Sequence, residues 1–271
     1  MLEICGPKYR SDIVILGGIG WVAGYVMIPG LALLLPNFRH LQLVAFASMV
    51  LMMVWFYFLD ESPRWQITNG HTDRAEVTLR KALKMNGKSD ADLREKLNEL
   101  SLNLKKMQRD DEITKTHTVL DLLKTPNLRK VTLIMWYLWI VNALIYYGFS
   151  FNMSDFGGNF YVTFLLSGLV ELPSQLLSAL FLRFIGRRNL FVIFMLMTAI
   201  SCLAIIPSKS EWMKVSFALL GKFGVSSSWN VMSIHGPELF PTILRNTGIG
   251  SSSVVGRIGS LSAPFMKNLV I

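Results

Sequence analysis

Residues 248–265 read GIGSSSVVGRIGSLSAPF. A hydrocarbon core of about 30 Å takes roughly 20 residues of apolar helix to cross. This stretch is close to that length, but it is rich in glycine and serine and carries Arg257 in its middle. Six other segments are long and apolar enough to cross: Ile13–Leu35, Leu41–Leu59, Val131–Ser150, Phe160–Leu182, Leu190–Ile206 and Val215–Ile234. Whether Ile249–Phe265 joins them decides the number of crossings, and with it the fold.

The placing of lysine and arginine answers the question. One set of connections holds Lys8 and Arg10, the 60–130 stretch, Arg183, Arg187 and Arg188, and Arg245; the alternate set holds only Arg39, Lys209 and Lys214. Cytoplasmic loops carry the excess of positive charge, so the first set is internal. Seven spans then alternate without conflict, and Ile249–Phe265 is included. The sequence reads as an all-α membrane protein.

Composition agrees. The 271 residues are 52% hydrophobic and 17% charged, with a mean hydropathy of +0.42, against roughly 25% charged residues in soluble domains. The net charge of +9 reflects residues that orient helices in the bilayer, and no basic stripe interleaved with aromatics points to nucleic acid. Cys5 and Cys202 have neither disulfide nor metal spacing. The four histidines, His40, His71, His117 and His235, are scattered without metal or triad partners, so the sequence does not read as an enzyme. No cofactor is indicated, and no phosphate-binding lysine motif occurs that would signal ATP hydrolysis. Asn152-Met153-Ser154 is a glycosylation sequon on an outer loop, but Asn152 hugs a helix end, which predicts that it stays unmodified.

Residues 60–130 form the sizeable polar part. HTDRAEVTLRKALKMNGK and SDADLREKLNELSLNLKKMQ predict amphipathic helices, with Leu93, Leu97, Leu100 and Leu104 on one face and a capping box from Ser89 to Asp92. The expected organisation is 1–59 as the end of an N-terminal helical bundle with two spans, 60–130 as a cytoplasmic linker, and 131–271 as a C-terminal bundle with five spans.

Local motifs refine this picture. DESPRWQI (Asp60–Ile67) resembles a signature that follows a span in sugar and organic ion transporters of the major facilitator superfamily. LDLLKTPNLRK (Leu120–Lys130), NALIYYGFSFN (Asn142–Asn152) and GPELFPTILRNTG (Gly236–Gly248) occur in the same order. Together they resemble the organic cation, carnitine and organic anion transporter family. That resemblance implies the major facilitator transporter fold, here incomplete, with the seven spans matching the fifth to eleventh of twelve. The missing transmembrane spans of a full-length protein would then be partners of this chain, alongside the lipid bilayer and a small organic ion. A multi-pass protein of the plasma membrane is the corresponding localisation. Where the family often shows Asp-Arg-x-Gly-Arg-Arg, this sequence has Arg183-Phe184-Ile185-Gly186-Arg187-Arg188, which removes an acid from an expected cytoplasmic contact.

The implied activity is transport by alternating access. Glu61, Arg64, Glu238 and Arg245 stand at inner ends of spans, where charges either latch helices together in one state or simply anchor them. Pro63, Pro237 and Pro241 are read as ending or bending helices. By the resemblance, Trp21, Trp139, Tyr146, Trp229 and Asn230 fall where organic cation transporters line their cavity, and Tyr147 adjoins them. Trp139 and Tyr146, seven apart, share a helix face.

Arg257 lies eight residues into its span, about 12 Å deep at a rise of about 1.5 Å per residue. A charge at that depth costs at least about 2.5–3.5 kcal/mol and needs a partner or a wet cavity. Glu171, about 16 Å from the outer end of its own span by the same rise, is the expected partner, with Pro173 loosening the helix beside it. The expectation is that Glu171 and Arg257 face one cavity and pair when it is empty. A basic residue at 257 resembles the carnitine-type and anion-transporting members, and LGKFGVSSS (Leu220–Ser228) the carnitine-type members, while Gln175 stands where anion transporters often have lysine. The substrates expected are organic cations and carnitine-like zwitterions, the ammonium on aromatics and Glu171, the carboxylate on Arg257. Organic anions are the alternative. A membrane protein that binds a partner without transporting is the alternative of another class.

Overall fold

A computed structural model of the chain describes residues 10–58, 60–89, 92–109, 118–153, 157–241 and 244–265. It divides into two compact units, one of residues 1–13 and 36–116, the other of residues 14–35 and 117–271. The greater part of the first helix is grouped with the C-terminal helices.

The helices are α1 (Arg10–Leu34), α2 (Phe38–Phe58), α3 (Pro63–Thr68), α4 (Thr72–Met85), α5 (Leu93–Arg109), α6 (Asp121–Lys124), α7 (Pro126–Asn152), α8 (Phe160–Leu169), α9 (Glu171–Phe181), α10 (Arg187–Ile205), α11 (Glu211–Leu239) and α12 (Arg245–Ser262), ending in a 3-10 turn at Ala263–Phe265. No strand occurs among the described residues. Each of the seven expected spans is helical. Gly17–Leu34, Pro126–Asn152, Phe160–Phe181 and Arg187–Ile205 are long and apolar enough to cross a membrane by length and composition, and Phe38–Val54 is a shorter apolar stretch. α11 and α12 fall outside that set because glycine, serine and charged side chains dilute their apolar character.

In the first unit α3 packs on α4, and α4 on α5. Pro63 occupies the first turn of α3, where its missing N–H costs nothing, and Ser62 caps the helix by accepting from the Trp65 amide. Ala75 and Leu97 are buried, whereas Leu100 is 51% exposed. The expected leucine face is therefore only partly covered; the Leu104 side chain lies outside the described residues, as do residues 90 and 91 inside the expected capping box. Surface ion pairs join Lys81 to Asp60 at 2.7 Å and Arg80 to Glu76 at 2.8 Å; such exposed pairs add little stability.

The second unit is built around α7 and α11. α10 and α9 lie along α11, and α12 lies along α7. Small residues make these approaches possible, since helices in lipid associate by close van der Waals packing. A Cβ at Gly224 would stand 2.4 Å from Thr198 Oγ1 and 2.9 Å from the Phe194 carbonyl. On α12, Gly248, Ser252 and Gly256 recur every four residues and are all buried, with Gly259 beyond them. Of the small residues that make 248–265 look weak as a span, Gly256 and Gly259 are packed against Trp139 and Ile140 of α7, and Gly248 against Phe240. On α10 the face of Leu196, Ile200 and Leu203 is exposed, as a lipid-facing surface requires. Several buried hydroxyls are satisfied within their own helices, as when Ser150 donates to the Tyr146 carbonyl and Ser252 to that of Gly248.

The expected span 160–182 is interrupted. α8 ends at Leu169 and α9 begins at Glu171, because Pro173 has no N–H for the Leu169 carbonyl. This break sets the Glu171 carboxylate in the first turn of a new helix, the favoured end for a negative charge.

At the entry to α7, Asp121 accepts from the Thr118 amide at 2.8 Å and pairs with Lys124. The Lys124 ammonium, then the Thr118 amide, hold its carboxyl at about 2, below the ordinary 3.8. A depressed carboxylate contributes stability that is present above its unfolded value and is lost as pH falls through the folded one. Asp121→Asn at neutral pH is accordingly expected to speed hydrogen exchange at the Thr118 amide. In the wild type that protection should persist to pH 4 and fail only towards pH 2.

Candidate functional site

A cavity of about 470 Å³ opens in the second unit between α1, α7, α9, α11 and α12. Its volume is in the range of small-molecule sites. All eight residues singled out for substrate line it: Trp21 from α1; Trp139, Tyr146 and Tyr147 from α7; Glu171 from α9; Trp229 and Asn230 from α11; and Arg257 from α12. The spacing of Trp139 and Tyr146 does place both on one wall.

That wall is aromatic and ordered by ring contacts. Trp139 meets Trp229 edge-on with centroids 5.2 Å apart, and Tyr146 lies 6.1 Å from Trp229 and 5.3 Å from Tyr147. Trp21, itself 57% exposed, donates from Nε1 to the Tyr146 hydroxyl at 3.2 Å. Gly256 gives Trp139 its room: a Cβ there would stand 3.2 Å from Cε3 of the indole. Asn230 is tethered by its amide to Ser178 at 3.2 Å. Two lining groups, Trp139 Nε1 and Ser226 Oγ, are buried with no hydrogen-bond partner among the described residues. Buried polar atoms are seldom left so.

The charges depart from the sequence expectation. Glu171 and Arg257 do line one cavity, but the carboxylate's partner is Lys222, not Arg257. Lys222 Nζ lies 3.2 Å from Glu171 Oε1, with both side chains almost wholly buried, and Nζ also donates to Ser150 Oγ. The ammonium sits 3.4 Å from the centroid of the Tyr146 ring and 5.4 Å from that of Tyr25, within the reach of cation–π attraction. Tyr146 in turn donates its hydroxyl to Glu171 Oε1 at 2.7 Å. Arg257 is exposed at the cavity and makes no ion pair among the described residues. Lys222 belongs to LGKFGVSSS and went unnoticed as a site residue. Its signal was nonetheless present, since an uncompensated lysine well inside an apolar run marks a functional position by default.

The four charges at helix ends have these surroundings. Glu238 pairs with Arg187 and lies 3.8 Å from His235 Nδ1. Arg187 comes from the motif that lacks its usual acid, so Glu238 on α11 supplies the carboxylate there. Arg245 opens α12, and its Nε is buried without a partner among the described residues. Glu61 is exposed ahead of α3, and the Arg64 side chain lies outside the described residues. Pro237 lies within α11, and Pro241 follows its C-terminal cap at Phe240. Asn152, the last residue of α7, donates to the Gly148 carbonyl at 2.9 Å.

Comparison with known proteins agrees with this architecture. A family model described as sugar (and other) transporter matches residues 1–268. The organic cation transporter protein of Drosophila melanogaster is 35% identical over 273 residues, covering 99% of this chain and 50% of that protein. Solute carrier family 22 member 3 of Mus musculus is 34% identical over 97% of this chain and 46% of its own length. Organic anion transporter 3 of Sus scrofa is 32% identical over 98% and 49% respectively. These relatives are transporters, not enzymes, and the chain spans about half of their length. Among solved structures, the proton:xylose symporter XylE bound to 6-bromo-6-deoxy-D-glucose superposes with a TM-score of 0.69 at 16% identity, over 99% of this chain and 58% of that one. At that identity the likeness speaks for the major facilitator fold alone.

Proposed function

Because this chain belongs to the sugar (and other) transporter family of the major facilitator superfamily, whose members are multi-pass membrane proteins, we propose that it serves to carry small organic ions by alternating access. It would do so at the plasma membrane, together with the further spans that its relatives carry. Residues 1–59 are assigned to one helical bundle, 60–130 to a cytoplasmic linker and 131–271 to the other bundle. The observation that carries this reading is the convergence of eight aromatic and ionisable or amide side chains on one cavity. The inner-end charges Glu61, Arg64, Glu238 and Arg245 are assigned to gating, with Arg187 as the partner of Glu238.

The favoured substrate is a carnitine-like zwitterion. Its ammonium suits the faces of Trp139 and Trp229, a contact worth about 0.5–2 kcal/mol, and its carboxylate suits the Arg257 guanidinium. With Glu171 held by Lys222, the uncompensated charge at the lining is positive. That makes a simple cation the poorer ligand and supports an organic anion as the second reading.

Uptake of labelled carnitine, tetraethylammonium and benzoate, measured with the wild type and Arg257→Gln, tests the assignment. A hydrogen bond to a charged group contributes about 1.5–3 kcal/mol, so the variant should lose at least about tenfold in carnitine and benzoate uptake and none in tetraethylammonium uptake. Tetraethylammonium uptake alone, indifferent to the substitution, would reverse the assignment. Absence of uptake of all three would favour a binding protein that does not transport.

A further inference from the structure

Lys222 stands at the middle of α11, with no exposed side-chain surface, and is not among the residues lining the cavity. Among the described residues its ammonium meets Glu171 Oε1, the Ser150 hydroxyl, and the ring faces of Tyr146 and Tyr25. Glu171 does line the cavity. Both donors to its carboxylate, Lys222 and Tyr146, converge on Oε1, and Oε2 accepts no hydrogen bond among the described residues. One oxygen is therefore held from behind while the other remains at the lining.

We propose that Lys222 determines which sign of charge the cavity accepts, by neutralising Glu171 from behind without itself touching the substrate. Lys222 is a positioning and charge-setting residue in this scheme. With it, the ionised groups at the cavity sum to one positive charge, that of Arg257. Without it, Glu171 regains its full negative charge, the sum falls to zero, and the lining holds a separate carboxylate for an ammonium. In a water-poor site such a change acts strongly, because charges a few ångströms apart are weakly screened there. The inference rests on the reading of this cavity as the substrate site, and it locates the choice between anion and cation in a residue that no substrate reaches.

Trp21, Trp139 and Trp229 line the cavity, so quenching of tryptophan fluorescence in the purified, detergent-solubilised chain reports binding whether or not transport occurs. Tetraethylammonium, carnitine and benzoate are titrated into the wild type, Lys222→Gln, Glu171→Gln and the double variant. Lys222→Gln should bind tetraethylammonium at least about tenfold more tightly and benzoate more weakly. Glu171→Gln, which keeps the lysine, should move the ratio the opposite way, and it decides the matter should Lys222→Gln fail to fold. The double variant should return to the wild-type preference for benzoate over tetraethylammonium, which a purely structural role of Lys222 would not produce. The same ratio in Glu171→Gln and in the double variant, so that removing the lysine changes nothing, overturns the role of Lys222 while leaving the substrate site standing. A wild type that binds none of the three ligands overturns both.

Discussion

Lys222→Met made alone should lower the stability of the solubilised protein by about 3–5 kcal/mol, the usual result of removing one partner from a buried ion pair. Lys222→Met combined with Glu171→Gln should recover most of that loss. The asymmetry follows from what each variant leaves behind. The single change strands a carboxylate that is 2% exposed with only the Tyr146 hydroxyl as donor. The double change leaves a neutral amide, which can still accept from Tyr146, beside an apolar side chain of similar length to lysine. Thermal unfolding followed by size-exclusion chromatography of both variants and the wild type measures the difference. Equal losses in the two would mean that the pair is not coupled, and the arrangement of charges around Tyr146 would have to be abandoned.

Gly259→Ala should destabilise by about 1–3 kcal/mol, the cost of overpacking a filled interface, and should weaken ligand binding as well. A Cβ at this position would lie 2.1 Å from the Ile140 carbonyl oxygen and 3.1 Å from the Leu144 amide nitrogen. Both are backbone, so no rotamer change relieves the clash and α7 must move away from α12. α7 also carries Trp139, Tyr146 and Tyr147, so its displacement widens the aromatic wall. Gly250→Ala on the same helix is the control. Nothing lies within 4 Å of its added Cβ, and alanine is the better helix former by about 1 kcal/mol, so stability should stay level or rise. The same thermal measurement separates the two, and comparable behaviour would remove the argument that glycine on α12 serves close packing.

The cavity wall was open to sequence reasoning because aromatics spaced by seven on one helix share a face whatever packs against it, and Trp139 and Tyr146 do so. That Glu171 and Arg257 face one cavity was equally accessible, since both lie well inside apolar runs. Their pairing was not. Depth says nothing about rotation around the helix axis, and α11 turns Lys222 towards the break between α8 and α9, where it reaches the carboxylate first. The inner-end charges went the same way: Glu238 takes Arg187, a residue brought near it by the packing of α10 on α11.

Hydropathy taken along the chain was enough to indicate a membrane protein and its apolar helices, because transfer into lipid depends on each segment's own composition. The transporter motifs were likewise readable as words in order. Three-dimensional packing alone decided which carboxylate meets which cation, and why a span may consist of glycine and serine. Both depend on contacts between helices remote in sequence, where an ångström of approach or a fraction of a turn selects the partner.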